Sequence, residues 1–220
     1  MKKYSKDKKV VFYEDNHTYY LGEKRLNSIT KYISTFKPIF DKEATSKLYA
    51  LKHNLDQQQV LKDWENKGKE SMVMGSYVHK VFEEYILNKT IIDTSLYPKC
   101  KTALKFISDY FESDKIKPVE TEYIVYNKYY AGQIDCIVQN DKGEYFILDW
   151  KTNEEIKMGN RWQSMKYKFK QYDDCSFNHY SIQLRAYQEM CKEYNIKDCF
   201  IVHLKEDDYE FITARDIKPF

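Results

Sequence analysis

The fold is decided by residues 132–152, which read Gly132-Gln-Ile-Asp-Cys-Ile-Val-Gln-Asn-Asp-Lys-Gly-Glu-Tyr-Phe-Ile-Leu-Asp-Trp-Lys-Thr152. Apolar and polar residues alternate on both sides of a short polar segment, which is typical of two antiparallel strands joined by a turn. Gly143 suits the left-handed position of a three-residue loop, Asp141 to Gly143. This turn pairs Asn140 with Glu144 and fixes every other facing pair of the hairpin.

The two faces of the hairpin differ in chemistry. One carries Asp135 opposite Asp149, with Lys151 two residues further along the same strand face. Facing carboxylates lie about 5 Å apart and repel each other, and a divalent cation held by one or two carboxylates would remove the repulsion. The geometry favours a metal site over the alternative, in which Lys151 only neutralises a surface cluster. The other face predicts a buried core surface, because all of its residues are apolar: Ile134, Cys136, Val138, Phe146, Leu148 and Trp150.

The rest of the chain predicts an α/β (α+β) fold. Its order is helices, a three-strand antiparallel meander, a helix and closing strands. No linker or composition change divides the chain, so we expect a single domain, 1–220, with an N-terminal hairpin and helical extension at 1–70 and a core at 71–214. The predicted elements are a hairpin at 10–13 and 18–21, a short helix capped by Ser28, helices at 41–54 (N-cap Asp41), 56–70 (N-cap Asp56), 74–86 and 99–112, strands at 119–126, 130–139 and 144–151, a helix at 177–194, and strands at 199–204 and 209–213.

Charge is distributed unevenly along the chain. The net charge is only +2, yet residues 1–10 carry five Lys against one Asp. The segment from Lys157 to Lys170 contains four Lys, one Arg and no acid, interleaved with aromatic residues such as Trp162. This pattern indicates a polyanionic partner. Solvated surface charge is an equally good explanation for the N-terminal tail, and a core-packing excursion remains an alternative for the basic segment.

Composition restricts the compartment. No run of 18 apolar residues occurs and the N-terminus lacks an apolar leader, so we expect neither a membrane span nor a secretory signal. The five Cys form no Cys-x-x-Cys pair, which predicts reduced thiols in a cytoplasm.

Four motifs in order resemble the PD-(D/E)XK nuclease superfamily, and more narrowly its RecB-type exonuclease branch. They are Gly75-Ser-Tyr-Val-His79, Gly132-Gln-Ile-Asp135, Ile147-Leu-Asp-Trp-Lys-Thr152 and Gln183-Leu-Arg-Ala-Tyr187. Two further segments, Asn16-His-Thr-Tyr-Tyr-Leu and Leu26-Asn-Ser-Ile-Thr, are similar to phage exonucleases and the mitochondrial genome maintenance exonuclease. The resemblance covers about residues 10 to 190. One departure is that no Pro precedes Asp135.

The resemblance implies a restriction-endonuclease-like core, helix–three-strand antiparallel meander–helix–strand, with extra N-terminal helices. It implies Asp135, Asp149 and Lys151 as catalytic residues, with Lys151 positioning or activating the attacking water. The implied ligands of a Mg²⁺ or Mn²⁺ ion are His79, Asp135, Asp149 and the backbone carbonyl of Trp150. His79 alone would more often be an ordinary helix histidine. The expected DNA contacts, taken from the motifs and the basic segment, are Thr152, Lys157, Arg161, Trp162, Lys166, Lys168, Gln183 and Tyr187.

Some branch members hold an iron–sulfur cluster through a Cys that precedes the His motif. The first Cys here is Cys100, which follows His79, so no iron–sulfur cluster is expected. Glu122 is predicted to face the site side of its strand, with either a structural or a catalytic role. A solvated position is favoured for Glu83.

The expected function is a metal-dependent DNA exonuclease that acts on single-stranded ends in phage or bacterial recombination, repair or replication. Its expected partners are DNA and other recombination or replication proteins, in a bacterial or phage-infected cytoplasm. One alternative is a processive double-strand exonuclease of the phage recombination type. Another is a catalytically inactive nucleic-acid-binding module, against which the intact Asp135, Asp149 and Lys151 argue.

Overall fold

Nine strands form one mixed sheet, which the computed structural model describes together with the helices over residues 1–220. The chain is therefore a mixed α+β protein, as the sequence predicts at this level. Most neighbouring strands are antiparallel, and the pairs β4–β6 and β7–β8 are parallel. The strands are β1 (Lys2–Tyr4), β2 (Val10–Tyr13), β3 (Thr18–Leu21), β4 (Lys24–Ser28), β5 (Ile116–Tyr126), β6 (Tyr130–Asn140), β7 (Tyr145–Lys151), β8 (Ile196–Leu204) and β9 (Tyr209–Thr213).

Five helices pack on the sheet or extend from it: α1 (Ile29–Ser34), α2 (Lys42–His53), α3 (Gln57–Asn88), α4 (Pro98–Phe106), which continues as a π-helical end at Ile107–Glu112, and α5 (Ser176–Met190). The predicted N-caps are confirmed, because Ser28, Asp41 and Asp56 each accept a backbone N–H of the first turn. None of these helices combines the length and the apolar character that crossing a membrane requires.

The division of α3 into two helices, 56–70 and 74–86, is wrong. A single helix of 32 residues runs through both segments. The residues between them, Ser71-Met-Val73, include no proline or glycine, so nothing in the backbone interrupts the hydrogen bonding. The N-terminal half of α3 packs against α2, and its C-terminal half packs on the sheet through Val78, Phe82 and Tyr85.

The register predicted for the central hairpin is confirmed. Strands β6 and β7 pair from Cys136 with Leu148 to Gln139 with Tyr145, and the turn closes with the N–H of Asn140 donating to the carbonyl of Glu144 at 3.0 Å. Gly143 has a φ of 78°, which a residue with a Cβ adopts only under strain.

The same edge of β6 changes its partner along its length. Its C-terminal half pairs with β7, whereas Tyr130 and Ala131 pair with the end of β4. Residues 132–135 pair with neither strand on this side. The sheet therefore has a local gap between β4 and β7, and Asp135 lies at one end of it.

Two apolar clusters cover the two faces of the sheet. One contains Cys136, Val138, Leu148 and Trp150 under α3 and α4, and the indole of Trp150 stacks on Phe82 with ring centroids 4.0 Å apart. The other lies under α1 and α5. The alternation of the sequence predicts Ile134 beside Cys136, but Ile134 packs in this second cluster, because the alternation of faces is interrupted at Asp135, where pairing with β7 ends.

Candidate metal centre

The gap in the sheet opens into a cleft of about 790 Å³. Helix α3 forms one wall and the N-terminal strands form another. Six residues proposed from the sequence motifs line the cleft: His79, Asp135, Asp149, Lys151, Gln183 and Tyr187. The structure therefore brings together side chains from α3, β6, β7 and α5 that are separated by up to 108 positions in the sequence.

Three of the lining side chains form a group that could hold a metal ion. Candidate ligand atoms of His79, Glu122 and Asp135 all lie within 4.8 Å of one another. One imidazole and two carboxylates form a donor set that suits several divalent cations, because carboxylate oxygens bind hard ions and imidazole nitrogen binds borderline ones. The sequence leaves the role of Glu122 open, and the structure places it in this group.

The two carboxylates of the group are costly to ionise. Burial, followed by the charge of Asp149, raises the pKa of Asp135 to about 8. Burial, followed by the charge of Asp135, raises the pKa of Glu122 to about 7. A cation bound between them would remove this cost, since opposite charge favours the ionised form. Asp135 is already oriented, because its Oδ2 accepts the backbone N–H of Trp150 at 2.8 Å.

His79 presents one ring nitrogen to the carboxylates. Its Nε2 lies 3.1 Å from the carbonyl of Trp150, to which it can donate, and its Nδ1 lies 3.6 Å from Asp135 Oδ1. Burial and the nearby charge of Lys151 lower the pKa of His79, which favours the neutral ring. The tautomer with its proton on Nε2 leaves the Nδ1 lone pair facing the group, which is the usual arrangement of a metal-binding histidine.

Asp149 and Lys151 form a separate pair beside this group. Asp149 is 2% exposed, and its Oδ2 is in contact with the ammonium of Lys151 as an ion pair. No donor makes a well-aligned hydrogen bond to that oxygen. Burial alone would lower the pKa of Lys151, but the charges of Asp149 and Asp135 raise it. In this structure Asp149 is held by Lys151 and lies outside the His79–Glu122–Asp135 group.

The backbone carbonyl of Trp150 lies at the site only through its contact with His79 Nε2.

Gln183 and Tyr187 join the site from α5. Gln183 donates through Nε2 to the hydroxyl of Tyr187 at 3.0 Å, and Tyr187 is 4% exposed. The ring of Tyr187 lies directly against Gly132, where a Cβ would overlap the ring atoms. Glycine at position 132 is therefore required for α5 to approach β6 this closely.

The basic segment lies outside the cleft. No residue from Lys157 to Lys170 lines it, and neither does Thr152, whose carbonyl accepts the ammonium of Lys99 at 2.6 Å. Met165 and Phe169 are buried in the core under α1 and α5, so the segment is in part a packing excursion. Trp162, in contrast, is 93% exposed.

The cations of the segment are not equivalent. Lys168 donates to the carbonyl of Pro219 and lies over aromatic rings, including that of Phe169 at 4.9 Å. Lys157, Arg161 and Lys166 have no carboxylate within 4.0 Å. These three remain available for contact with an anion.

The N-terminal strands contribute a residue that the sequence analysis did not identify. Lys3 of β1 lines the cleft, and its Nζ lies 2.9 Å from Glu83, 3.2 Å from Glu14 and 3.6 Å from Glu122. Solvated charge therefore does not describe Lys3 or Glu83. No local pattern distinguishes Lys3 from its neighbour Lys2, since their different environments depend on how β1 joins the sheet.

The arrangement defines a class of site: an acidic cluster suited to a divalent cation, adjoining a buried Lys–Asp pair. No protein-family model matches the chain, and no curated protein matches it significantly.

Proposed function

We propose that this protein is a metal-dependent deoxyribonuclease, an exonuclease of the PD-(D/E)XK superfamily and its RecB-type branch. The observation that carries the proposal is the presence, in one open cleft, of the His79–Glu122–Asp135 group and the Lys151–Asp149 pair. A phosphodiester is already anionic, so its hydrolysis requires an activated water and positive charge near the developing oxyanion. The two features of the cleft supply these requirements.

The order of elements supports a restriction-endonuclease-like core. Helix α3 precedes the antiparallel strands β5, β6 and β7, and α5 then leads to β8, which pairs in parallel with β7. This is the order that the resemblance implies. Strand β7 lies between β6 and β8, so Asp149 and Lys151 stand on a rigid central strand.

The residues of the cleft have distinct roles in the proposed reaction. A bound Mg²⁺ or Mn²⁺ would supply a Lewis acid and a water of lowered pKa. Asp135 and Glu122 would bind the cation through oxygen, and His79 through Nδ1. Lys151 keeps its proton, because Asp149 and Asp135 raise its pKa, so its ammonium orients water and neutralises charge on the scissile phosphate.

Single-stranded ends are the substrate that the surface favours. Lys157, Arg161 and Lys166 are free of acidic partners, and Trp162 offers an exposed aromatic face for stacking on an unpaired base. The five unbridged, buried cysteines support a reducing compartment, such as the cytoplasm of a bacterium or a phage-infected host.

Degradation of end-labelled oligonucleotides tests the proposal. The wild-type protein should shorten single-stranded DNA only when Mg²⁺ or Mn²⁺ is added. The variants Asp135→Asn and Lys151→Met should lose at least two orders of magnitude in rate, as expected when a charge-stabilising group is removed. Asp141→Asn and Lys142→Met are matched controls, because these exposed turn residues carry the same chemical groups outside the cleft.

The outcomes separate the proposal from its alternatives. Equal activity of Asp135→Asn and the wild type would overturn the assigned site. DNA binding without cleavage in either metal would favour the inactive binding module. Continuous degradation of duplex DNA from one end, with little activity on single strands, would favour the processive double-strand exonuclease.

A further inference from the structure

The backbone that follows Lys151 is held by a buried cation. Lys99, near the start of α4, is 6% exposed, and its ammonium donates to the carbonyls of Thr152 and Asn153 at 2.6 and 3.1 Å. No carboxylate lies within 4.0 Å of this ammonium. Burying a charge without an ionic partner is costly, and here main-chain oxygens alone satisfy it. Residues Thr152 and Asn153 directly follow Lys151, so this contact fixes the end of β7.

A buried histidine holds the same backbone from the other side. His203 of β8 pairs with Lys151 in the parallel ladder and is 2% exposed. Its Nε2 lies 2.8 Å from the carbonyl of Asn153, and its Nδ1 lies 3.1 Å from Glu210 Oε1 on β9. The Asn153 carbonyl therefore lies between the side chains of Lys99 and His203.

The side chain of Asn153 extends the contacts to the ammonium of Lys151. Its Oδ1 accepts the hydroxyl of Tyr180 at 2.7 Å. The ring of Tyr180, on α5, lies 4.8 Å from Lys151 Nζ, within the range of a cation–π interaction. The ammonium is thus placed between the ring of Tyr180 and the carboxylate of Asp149.

We infer that Lys99, Asn153, Tyr180 and His203 form a positioning network that holds both the backbone and the ammonium of Lys151. None of the four needs to touch substrate, and each acts through Lys151. The effect on turnover rests on the function proposed above, whereas the effect on the position of Lys151 does not. The network also explains why Lys99 is retained at a buried position that lacks an acidic partner.

Chemical labelling of lysines tests the position of Lys151 directly. The full-length, metal-free protein is treated briefly with an amine-acylating reagent, and the labelling rate of each lysine is measured by mass spectrometry. Tyr180→Phe removes one hydroxyl and keeps the ring, and Lys99→Met removes the buried ammonium. Loss of one hydrogen bond, worth about 1 kcal/mol, corresponds to roughly a fivefold higher labelling rate at Lys151.

Two exposed residues provide controls. Lys101→Met lies on α4 beside Lys99, and Tyr129→Phe removes an exposed hydroxyl that makes no hydrogen bond. Neither should change labelling of Lys151. Asn153→Asp should also preserve protection, because it keeps an oxygen acceptor for Tyr180, whereas Asn153→Leu should lose it.

Activity then separates this inference from the proposed function. If the protein is a nuclease, Tyr180→Phe should lower kcat roughly 10-fold and leave KM unchanged, since misplacing a catalytic group costs rate. Faster labelling without any nuclease activity in the wild type would uphold the network and refute the nuclease. Unchanged labelling of Lys151 in both Tyr180→Phe and Asn153→Leu would overturn the network, even if Lys99→Met failed to fold.

Discussion

Replacing Asp135 with Asn should stabilise the metal-free protein at alkaline pH. Asp135 keeps its proton in the folded protein up to about pH 8, against an ordinary pKa of 3.8, because of burial and the charge of Asp149. Between these values the folded state binds more protons than the unfolded state, so the free energy of unfolding falls as the pH rises. Asn has the same shape and can still accept the N–H of Trp150 through its side-chain oxygen.

The size of the effect follows from the pKa difference. Each unit corresponds to about 1.4 kcal/mol, so the three units from pH 5 to pH 8 set an upper limit of about 4 kcal/mol. The nearby ammonium of Lys151 and local relaxation reduce this value. We expect the gain from Asp135→Asn to be about 2 kcal/mol larger at pH 8 than at pH 5, or roughly 4–8 °C in Tm for a chain of this size.

Urea and thermal unfolding in a chelator, at pH 5 and pH 8, provide the measurement. Comparing the variant with the wild type at each pH cancels the titration of all other groups. Asp141→Asn, in the exposed turn, should show no pH-dependent gain. A gain of equal size at both pH values, or a loss at pH 8, would refute the assignment of a strained, buried carboxyl to Asp135.

Three further predictions follow from the site and its surroundings. His79→Ala should raise the Mn²⁺ concentration needed for thermal stabilisation, which is about 2.7 kcal/mol at 100 times Kd; a titration that overlays the wild type would exclude His79 as a ligand. Neutralising Lys157 and Arg161 should flatten the salt dependence of DNA binding by somewhat under one unit for each phosphate that the variant no longer neutralises, and Trp162→Ala should weaken binding to single strands more than to duplex. These affinities are measured across a salt series in Ca²⁺, and an unchanged slope would show that the substrate takes another route. Trp150→Ala should cost about 3–5 kcal/mol in urea unfolding, because the indole is 1% exposed; a cost under about 1 kcal/mol would contradict its core position.

The sequence predicts the central hairpin well because two independent constraints agree there. The glycine at position 143 fixes the turn, and the apolar alternation allows only one register. The helix caps are likewise predictable, since Ser28, Asp41 and Asp56 act within their own first turn. These features depend on neighbours close in sequence.

The missed features depend on distant contacts. Glu122 has a φ of 51°, which turns a glutamate on β5 towards the site, and no residue pattern indicates such a conformation. Ile134 changes faces because β6 exchanges one partner for another at Asp135. Lys3 reaches the cleft only because β1 joins the sheet next to β2. Each outcome is set by how separate segments assemble.

The exchange of partners along β6 also affects the mechanics of the sheet. Strands β1 to β4 join the remaining strands through only two residue pairs, Asn27 with Tyr130 and Ser28 with Ala131. A joint this short opens at a lower free energy than the global unfolding transition. The N-terminal meander is therefore a separable cooperative unit, and its opening would carry Lys3 away from Glu122 while β6, β7 and the hairpin between them stay paired. Hydrogen exchange should accordingly be faster at the amides of β4 than at those of β7.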